Sequence, residues 1–325
     1  MKKNIALITG GDSSEIVISL KSAAQVAGQL SKESYRTYII VITGRDWYYE
    51  SPEGVKYQVD KNDFSLSLPG EKISFEFAVI MIHGTPGEDG KLQGYFDMMG
   101  IPYSSCGVLA ASLTFNKYYC KTYVANSGIK TARSLLLRRN DLIDEPDIAN
   151  RVGLPCFVKP NNGGSSFGAS KVNRQTELAT AIEKAFNEDH EVIVEEFISG
   201  TEITCGLVKF SGREMIFPLT EIVSKTEFFD YEAKYTPGMA EEIIPARIPE
   251  ELALKCREIS SSLYDLLNCR GIVRIDYILK GEEFWFLEVN TVPGMSENSI
   301  VPRQIRAMEL QMSDVMDMII RFGQG

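Results

Sequence analysis

The amino-acid sequence predicts an α/β protein, with a parallel α/β domain at its N-terminus and an α+β region in two parts behind it. Three observations carry this. Apolar runs of strand length alternate with a helical pattern over the first hundred residues, as in a parallel sheet. Beyond residue 155 the pattern changes to short strands separated by Gly/Ser loops and single helices. Finally, 325 residues exceed what one compact core holds, so two or three domains are expected.

Residues 4–9 are an apolar run that ends at Gly10-Gly11, before an amphipathic helix from about Ser14 to Leu30. Strands are expected at Tyr38–Thr43 and Phe77–Ile82, the second running into His83-Gly84. In such a sheet the functional groups gather at the carboxyl ends of the strands. The first domain closes around Ile101-Pro102-Tyr103. A helix then covers Asn116–Ser127, and Pro155–Lys159 is a strand followed by the loop Asn161–Gly168. Ala169–Val172 is a strand, Thr176–Asn187 a helix and Glu191–Glu196 a strand. The last section carries strands near Glu202–Lys209 and Ile216–Thr220, a polar aromatic segment at Lys225–Gly238, and a helix at Pro249–Leu267. Two strands follow at Gly271–Leu279 and Glu283–Val289, with one closing helix at Val301–Phe322. The expected domains are 1–115, 116–196 and 197–325.

Composition narrows the function. A net charge of −10 argues against nucleic-acid binding, which needs clustered Lys and Arg. No stretch approaches the roughly 20 apolar residues of a membrane helix, and the apolar start is too short for a signal peptide. The six cysteines show no CxxC spacing and suit buried thiols of a cytoplasmic protein. Two histidines, His83 and His190, do not make a His-rich metal site.

Four segments carry chemistry. Gly10-Gly11-Asp12-Ser13-Ser14-Glu15 lies between a strand and a helix, where a small anion can bind, although, for the segment taken alone, Ser14 as N-cap and Glu15 as first-turn acid are the better explanation. In Lys159-Pro160-Asn161-Asn162-Gly163-Gly164-Ser165-Ser166-Phe167-Gly168, backbone N–H groups can approach phosphate oxygens closely, beside a lysine that supplies a point charge. Glu195-Glu196-Phe197-Ile198 with Glu202 suits adenine and ribose, or an exposed edge with a turn. In Ile272-Val273-Arg274-Ile275-Asp276-Tyr277, alternation puts Arg274 and Asp276 on one face. Glu288 and Asn290 share a face of the next strand. Such groups are expensive to bury unpaired, and hard oxygen ligands for Mg²⁺ answer that cost better than an ion-pair network alone.

These segments together resemble the ATP-grasp superfamily, through Lys159…Gly164-Ser165-Ser166, Arg274-x-Asp276 and Glu288-x-Asn290. Within it the chain is similar to the D-alanine–D-alanine ligases. The further matching segments are Gly10-Gly11…Ser14-Glu15, His83-Gly84…Gly87-Glu88-Asp89-Gly90, Tyr231-Glu232-Ala233-Lys234-Tyr235, and Asn290-Thr291 with Pro293-Gly294-Met295…Ser299, in family order from residue 4 to about 303. Ile16 stands where the family often has Arg, and Glu297-Asn298 varies before Ser299.

The resemblance implies a two-part ATP-grasp fold behind a substrate-binding N-terminal domain. It implies ATP-dependent joining of two D-alanines through an acyl phosphate, for peptidoglycan precursor synthesis. The alternatives are a D-alanine–D-lactate ligase or another ATP-grasp carboxylate–amine ligase. Asp276, Glu288 and Asn290 would hold two Mg²⁺ ions (or Mn²⁺). Lys117 and Lys159 would contact phosphate oxygens and Ser165-Ser166 would cover the γ-phosphate, with Glu195, Phe197, Ile198 and Glu202 around the nucleoside. Glu15 would pair with the first ammonium, with His83 nearby, and Ser299 would bind the second carboxylate. Arg274 would stabilise the acyl phosphate and, with the Gly294 N–H, the oxyanion. Lys234 and Tyr235, on a closing segment, would complete the site. The expected assembly is a homodimer.

Strand geometry sets one further expectation. A three-residue turn containing Gly281 sets Asp276 opposite Glu288 and Arg274 opposite Asn290. It also turns Val273, Ile275, Tyr277, Trp285, Leu287 and Val289 toward a helix. A two-residue turn at Gly281-Glu282 sends Asp276 and Glu288 to opposite faces unless a bulge absorbs the parity.

Overall fold

The computed structural model describes residues 2–210, 212–224 and 240–322. Strands Lys3–Gly10, Tyr35–Thr43 and Phe77–Ile80 pair in parallel, with helix Ile16–Gln29 between the first two in sequence. An unbroken apolar run explains this centre: Ile5, Ala6, Leu7 and Ile8 are all fully buried, so both faces of the strand are covered. The sheet is larger than expected and not wholly parallel. Four further strands, Asp46–Glu50, Lys56–Asp60, Ser65–Leu68 and Glu71–Ser74, extend one edge as an antiparallel meander. Their sequence alternates only weakly, and they are joined by tight turns at Gly54 (φ +80°) and Gly70 (φ +80°), backbone that favours glycine.

The second sheet has four strands in the order Ser170–Val172, Cys156–Pro160, Glu191–Glu196, Ser134–Arg138, all antiparallel. Helices Glu145–Val152 and Leu178–Phe186 bury Ile148, Val152, Leu178 and Ile182 in the same cluster as Val158, Val192 and Val194. Among the described residues the third sheet has seven strands. Its main path runs Ala240–Ile243, Thr220–Ser224, Thr201–Phe210, Val273–Lys280, Glu283–Asn290, Lys130–Thr131, and Arg213–Ile216 pairs beside Thr201–Phe210. The strand expected at Ile216–Thr220 is instead the break between two strands, because Pro218 has no N–H to donate to a ladder. Helix Glu250–Leu266 covers one face, burying Cys256, Leu263 and Tyr264 against Ile275 and Tyr277.

The closing helix is two helices, Ile300–Ala307 and Met312–Phe322. Glu309 between them has φ +60°, which an α-helix does not tolerate. The second helix returns Val315, Met316 and Ile319 to the first sheet, against Leu7 and Val79, so the end of the chain packs on its beginning.

The hairpin register differs in its turn and agrees in its outcome. Lys280 pairs with Glu283, so the turn has two residues, Gly281 and Glu282. A bulge then opens between Asp276 and Tyr277: Tyr277 faces Phe286, Asp276 faces Glu288 and Arg274 faces Asn290, leaving Leu287 as the extra residue. The parity change has a visible cost to the simpler expectation. Phe284 and Phe286, not Trp285 and Leu287, join Val273, Ile275, Tyr277 and Val289 in the core. Trp285 and Leu287 line a cavity on the Asp276 face.

Candidate active site

Two cavities meet at one wall. The first, about 580 Å³, lies between the second and third sheets and is lined by Phe157, Lys159, Glu195, Phe197, Ile198, Glu202, Asp276 and Trp285. The second, about 630 Å³, lies between the first sheet and the loop after Asn290, and is lined by Glu15, His83, Glu88, Asn290, Gly294 and Ser299. Lys117, Gly163, Gly164, Ser165, Arg274, Glu288 and Ile300 line both. Any group passing from one ligand to the other crosses a wall that carries a lysine, an arginine and a carboxylate.

The first cavity is organised by a buried charge triad. Phe157 stands directly opposite Glu195, so Lys159, two residues on, shares that face. The Glu195 carboxylate forms ion pairs with Lys159 and with Lys121, and all three side chains are largely buried. Burial alone would raise the Glu195 carboxyl, but Lys121 and Lys159 outweigh it and hold the group at about 2. Burial wins at Lys121, which it pulls below its ordinary value, whereas Glu195 and Glu288 carry Lys159 above its own. Glu195 therefore faces the two lysines, and Phe197, Ile198 and Glu202 line the cavity beside it. Lys171 sits 4.8 Å from the centre of the Phe197 ring.

The loop after Lys159 reaches across to the first sheet. Ser165 and Ser166 both have positive φ (50° and 59°), unusual for residues with a side chain. Ser165 Oγ donates to Glu15 Oε1 at 2.5 Å. Lys117 Nζ donates to the Gly163 carbonyl and stands 3.6 Å from Glu288 Oε2. A Cβ on Gly164 would lie 2.7 Å and 2.8 Å from the two Glu15 oxygens, so any side chain here would displace the Glu15 carboxylate.

On the hairpin, Arg274 grips Asp276 in a fork, Nε to Oδ1 at 2.9 Å and Nη2 to Oδ2 at 2.7 Å. Thr204 and Asn290 add hydrogen bonds to the same carboxylate. Burial would lower the Arg274 pKa, but Asp276 and then Glu288 carry it above its ordinary value. Asp276, Glu288 and Asn290 project from paired positions, a donor set of hard oxygens that suits Mg²⁺ once the Asn290 amide turns its oxygen inward.

At the far end, His83 is buried with Nε2 3.2 Å from Ser22 Oγ, and Ser22 Oγ accepts from Met295 N at 3.2 Å. Burial, and after it Arg274, lower His83 to about 4, so it is neutral. Glu88 accepts from Gly84 N at 2.7 Å and from Val292 N at 3.4 Å. Burial and the neighbouring Glu15 raise its carboxyl to about 8. Ser299 caps helix Ile300–Ala307 by position only; its hydroxyl lies 2.7 Å from Ser296 Oγ.

Comparison with known proteins accounts for both halves. Residues 4–106 match the D-ala D-ala ligase N-terminus and residues 123–321 the D-ala D-ala ligase C-terminus. The chain belongs to the D-alanine–D-alanine ligase family.

It is 52% identical over 321 residues to a D-alanine–D-alanine ligase of Bacteroides fragilis (strain YCH46), covering 98% of this chain and 99% of that one. It is 45% identical to the Flavobacterium johnsoniae D-alanine–D-alanine ligase, with 96% and 97% covered. Among solved structures, the VanG D-Ala:D-Ser ligase from Enterococcus faecalis superposes with a TM-score of 0.87 at 32% identity, covering 99% of both chains. The Bacillus anthracis D-alanine–D-alanine ligase complexed with ATP superposes with a TM-score of 0.78 at 29% identity, covering 99% of this chain and 97% of that one. An ATP-grasp fold and an ATP-dependent ligase follow from family membership.

Within this member of the ligase family, the residues singled out from sequence lie along the two joined cavities, except Lys234 and Tyr235. Those two, with the rest of the closing segment, lie outside the described residues. Lys121 and Glu88 were not singled out. Lys121 follows Lys117 by four residues on helix Lys117–Ala125 and shares its face, and that spacing was the available signal. Glu88 stood inside a matching segment but carried no pattern of its own. All six cysteines are free and buried. Among the described residues no helix is long and apolar enough to cross a membrane.

Proposed function

We propose that this chain joins two D-alanines to D-alanyl-D-alanine, using ATP to activate the first carboxylate as an acyl phosphate. The observation that carries the reading is the wall shared by the two cavities, where Lys117, Ser165, Arg274 and Glu288 stand between a nucleotide-sized space and a space lined by Glu15 and Ser299.

The chemistry follows from charge. A carboxylate is a poor acylating agent, so its oxygen first attacks the γ-phosphorus of ATP and ADP leaves. Lys117 and Lys159 meet the phosphate oxygens, with Ser165 and Ser166 above them. Asp276, Glu288 and Asn290 would hold Mg²⁺, which when bound neutralises charge on the transferring phosphoryl group. Glu15 takes the first ammonium, and the neutral His83 beside it adds no competing positive charge. The second amine then attacks the acyl carbon, with its carboxylate at Ser299. Arg274 and the Gly294 N–H stabilise the oxyanion, and phosphate departs as the amide forms. Glu195, Phe197, Ile198 and Glu202 surround the nucleoside, with Glu195 also holding the two lysines. Lys234 and Tyr235 belong to the same proposal, as the segment that closes the site against water.

The domain division at 115 and 196 belongs to this reading, supported by one main sheet per part, with strand Lys130–Thr131 of the middle part joining the third sheet. So do a homodimeric assembly and a cytoplasmic location, the latter supported by six free thiols. The test is ADP and phosphate release across D-alanine, D-lactate, D-serine and L-alanine, with the product identified. Dipeptide from D-alanine alone supports the proposal. Turnover independent of amino acid, or equal with L-alanine, sinks it.

A further inference from the structure

The second cavity contains a carboxylate for which the reaction above has no use. Glu242, on strand Ala240–Ile243, lines this space together with Arg274, Asn290 and Ser299, and its side chain is only 19% exposed. Burial raises its carboxyl above the ordinary value, against the pull of Arg303 and Arg274. Placed there alone, an anion would oppose any substrate that brings its own carboxylate to Ser299.

Arg303 answers that charge. It lies on helix Ile300–Ala307, one turn beyond Ser299, whose carbonyl accepts from its backbone N–H at 3.2 Å. Its Nη1 pairs with the Glu242 carboxylate, and its Nη2 donates to the Glu242 carbonyl at 2.8 Å. The lining of the cavity includes Glu242 but not Arg303, so the guanidinium acts from behind the wall. One side chain thus neutralises the acid and ties its strand to the helix that Ser299 caps. A planar fork can do both at once, whereas a lysine offers a single point charge.

We propose that Arg303 is a specificity-determining, positioning residue of the acceptor cavity: by neutralising Glu242 it lets the cavity take a second substrate that carries a free carboxylate. This rests on the reading of the chain as a D-alanine-joining ligase. Removing Arg303 leaves a partly buried carboxylate without its ion-pair partner beside the acceptor, and such a like-charge contact acts on binding before chemistry.

The experiment is a charge cycle on the full chain, with initial rates of dipeptide formation resolved into KM for ATP, for the first D-alanine and for the second. Arg303→Gln should raise KM for the second D-alanine roughly 10-fold or more, about 1.4 kcal/mol, with the other two KM values and kcat within about 3-fold. Glu242→Gln combined with Arg303→Gln should return that KM to within about 3-fold of the parent, because the anion is gone together with its partner. Arg303→Lys should sit between parent and Arg303→Gln. An unchanged acceptor KM in Arg303→Gln, or a double variant as impaired as the single one, overturns the proposal by making Arg303 merely structural. Should Arg303→Gln not fold, the double variant decides alone: a parent-like acceptor KM supports the proposal and a raised one overturns it. A parent that forms no dipeptide at all defeats the ligase reading and this proposal together; a parent that forms it while the cycle fails defeats only this one.

Discussion

Ser165 donates its hydroxyl to Glu15 at 2.5 Å, joining the Gly/Ser loop of the second sheet to the first helix of the N-terminal sheet. The bond ties the loop expected over the phosphates to the acid expected at the first ammonium. Substrate binding and loop position are therefore coupled through one carboxylate. Glu15→Gln should raise KM for the first D-alanine about 10- to 100-fold, the range expected for a hydrogen bond to a charged group. Steady-state kinetics with the first-site KM resolved checks this; an unaltered value removes Glu15 from the ammonium site.

Gly164→Ala should impair turnover more than stability. The new methyl would stand 2.7 Å from Glu15 Oε1, and the carboxylate, already held by Ser165, has to swing away. A fall in kcat/KM of at least about 10-fold, with a melting temperature within about 3 °C of the parent, is the expected pairing. Equal losses in both would mean that the loop, not Glu15, absorbs the strain.

The triad of Glu195, Lys121 and Lys159 should govern acid stability in this part of the fold. Glu195 is held at about 2, well below its ordinary 4.5. A depressed carboxylate contributes stability that is fully present above the unfolded value and is lost as pH falls from 4.5 through about 2. Glu195→Gln leaves two buried lysines without their anion and should cost about 3–5 kcal/mol at neutral pH. Chemical denaturation at pH 7 and pH 3 measures both effects, and the variant should lose less than the parent on acidification.

Glu88 runs the other way. Burial and Glu15 raise it to about 8, so its contribution is fully present below the ordinary 4.5 and is lost as pH rises through about 8. Glu88→Gln, which cannot ionise, should gain stability relative to the parent between pH 5 and pH 9. Paired melts across that window test it; a constant difference would mean that Glu88 does not titrate there.

Glu288→Gln should abolish turnover that depends on Mg²⁺, as should chelation of divalent ions in the parent. Glu288 faces Asp276 across the hairpin, and replacing one carboxylate oxygen with an amide nitrogen removes a hard ligand. A loss of at least about 100-fold is expected, about 2.7 kcal/mol of transition-state stabilisation. Intact metal-dependent turnover in the variant would exclude Glu288 from the metal site.

Much of the fold was legible because periodicity is local. The apolar run Ile5–Ile8 ahead of Gly10-Gly11, the alternation in Val273–Tyr277 and the Lys159–Gly168 loop each declare their element within about ten residues. The meander at 46–74 was not legible, since its strands are short, half-exposed and weakly alternating. The division of the last helix at Glu309 was hidden too, because no glycine or proline marks it.

By itself the sequence determined which residue types share a strand face, where the glycines let the backbone approach, and, through ordered motifs, the family and the cofactor chemistry expected of it. Only the tertiary structure decided how those faces meet. The hairpin reached the pairing of Asp276 with Glu288 through a two-residue turn corrected by a bulge at Leu287, because the core needed Tyr277 and Phe286 together and the cavity needed both acids. It likewise put Lys121 on Glu195 and Arg303 on Glu242, pairs separated by many residues in the chain. The physical reason is that a charge is tolerated inside a protein only where another element delivers its partner, and no local pattern records which element that will be.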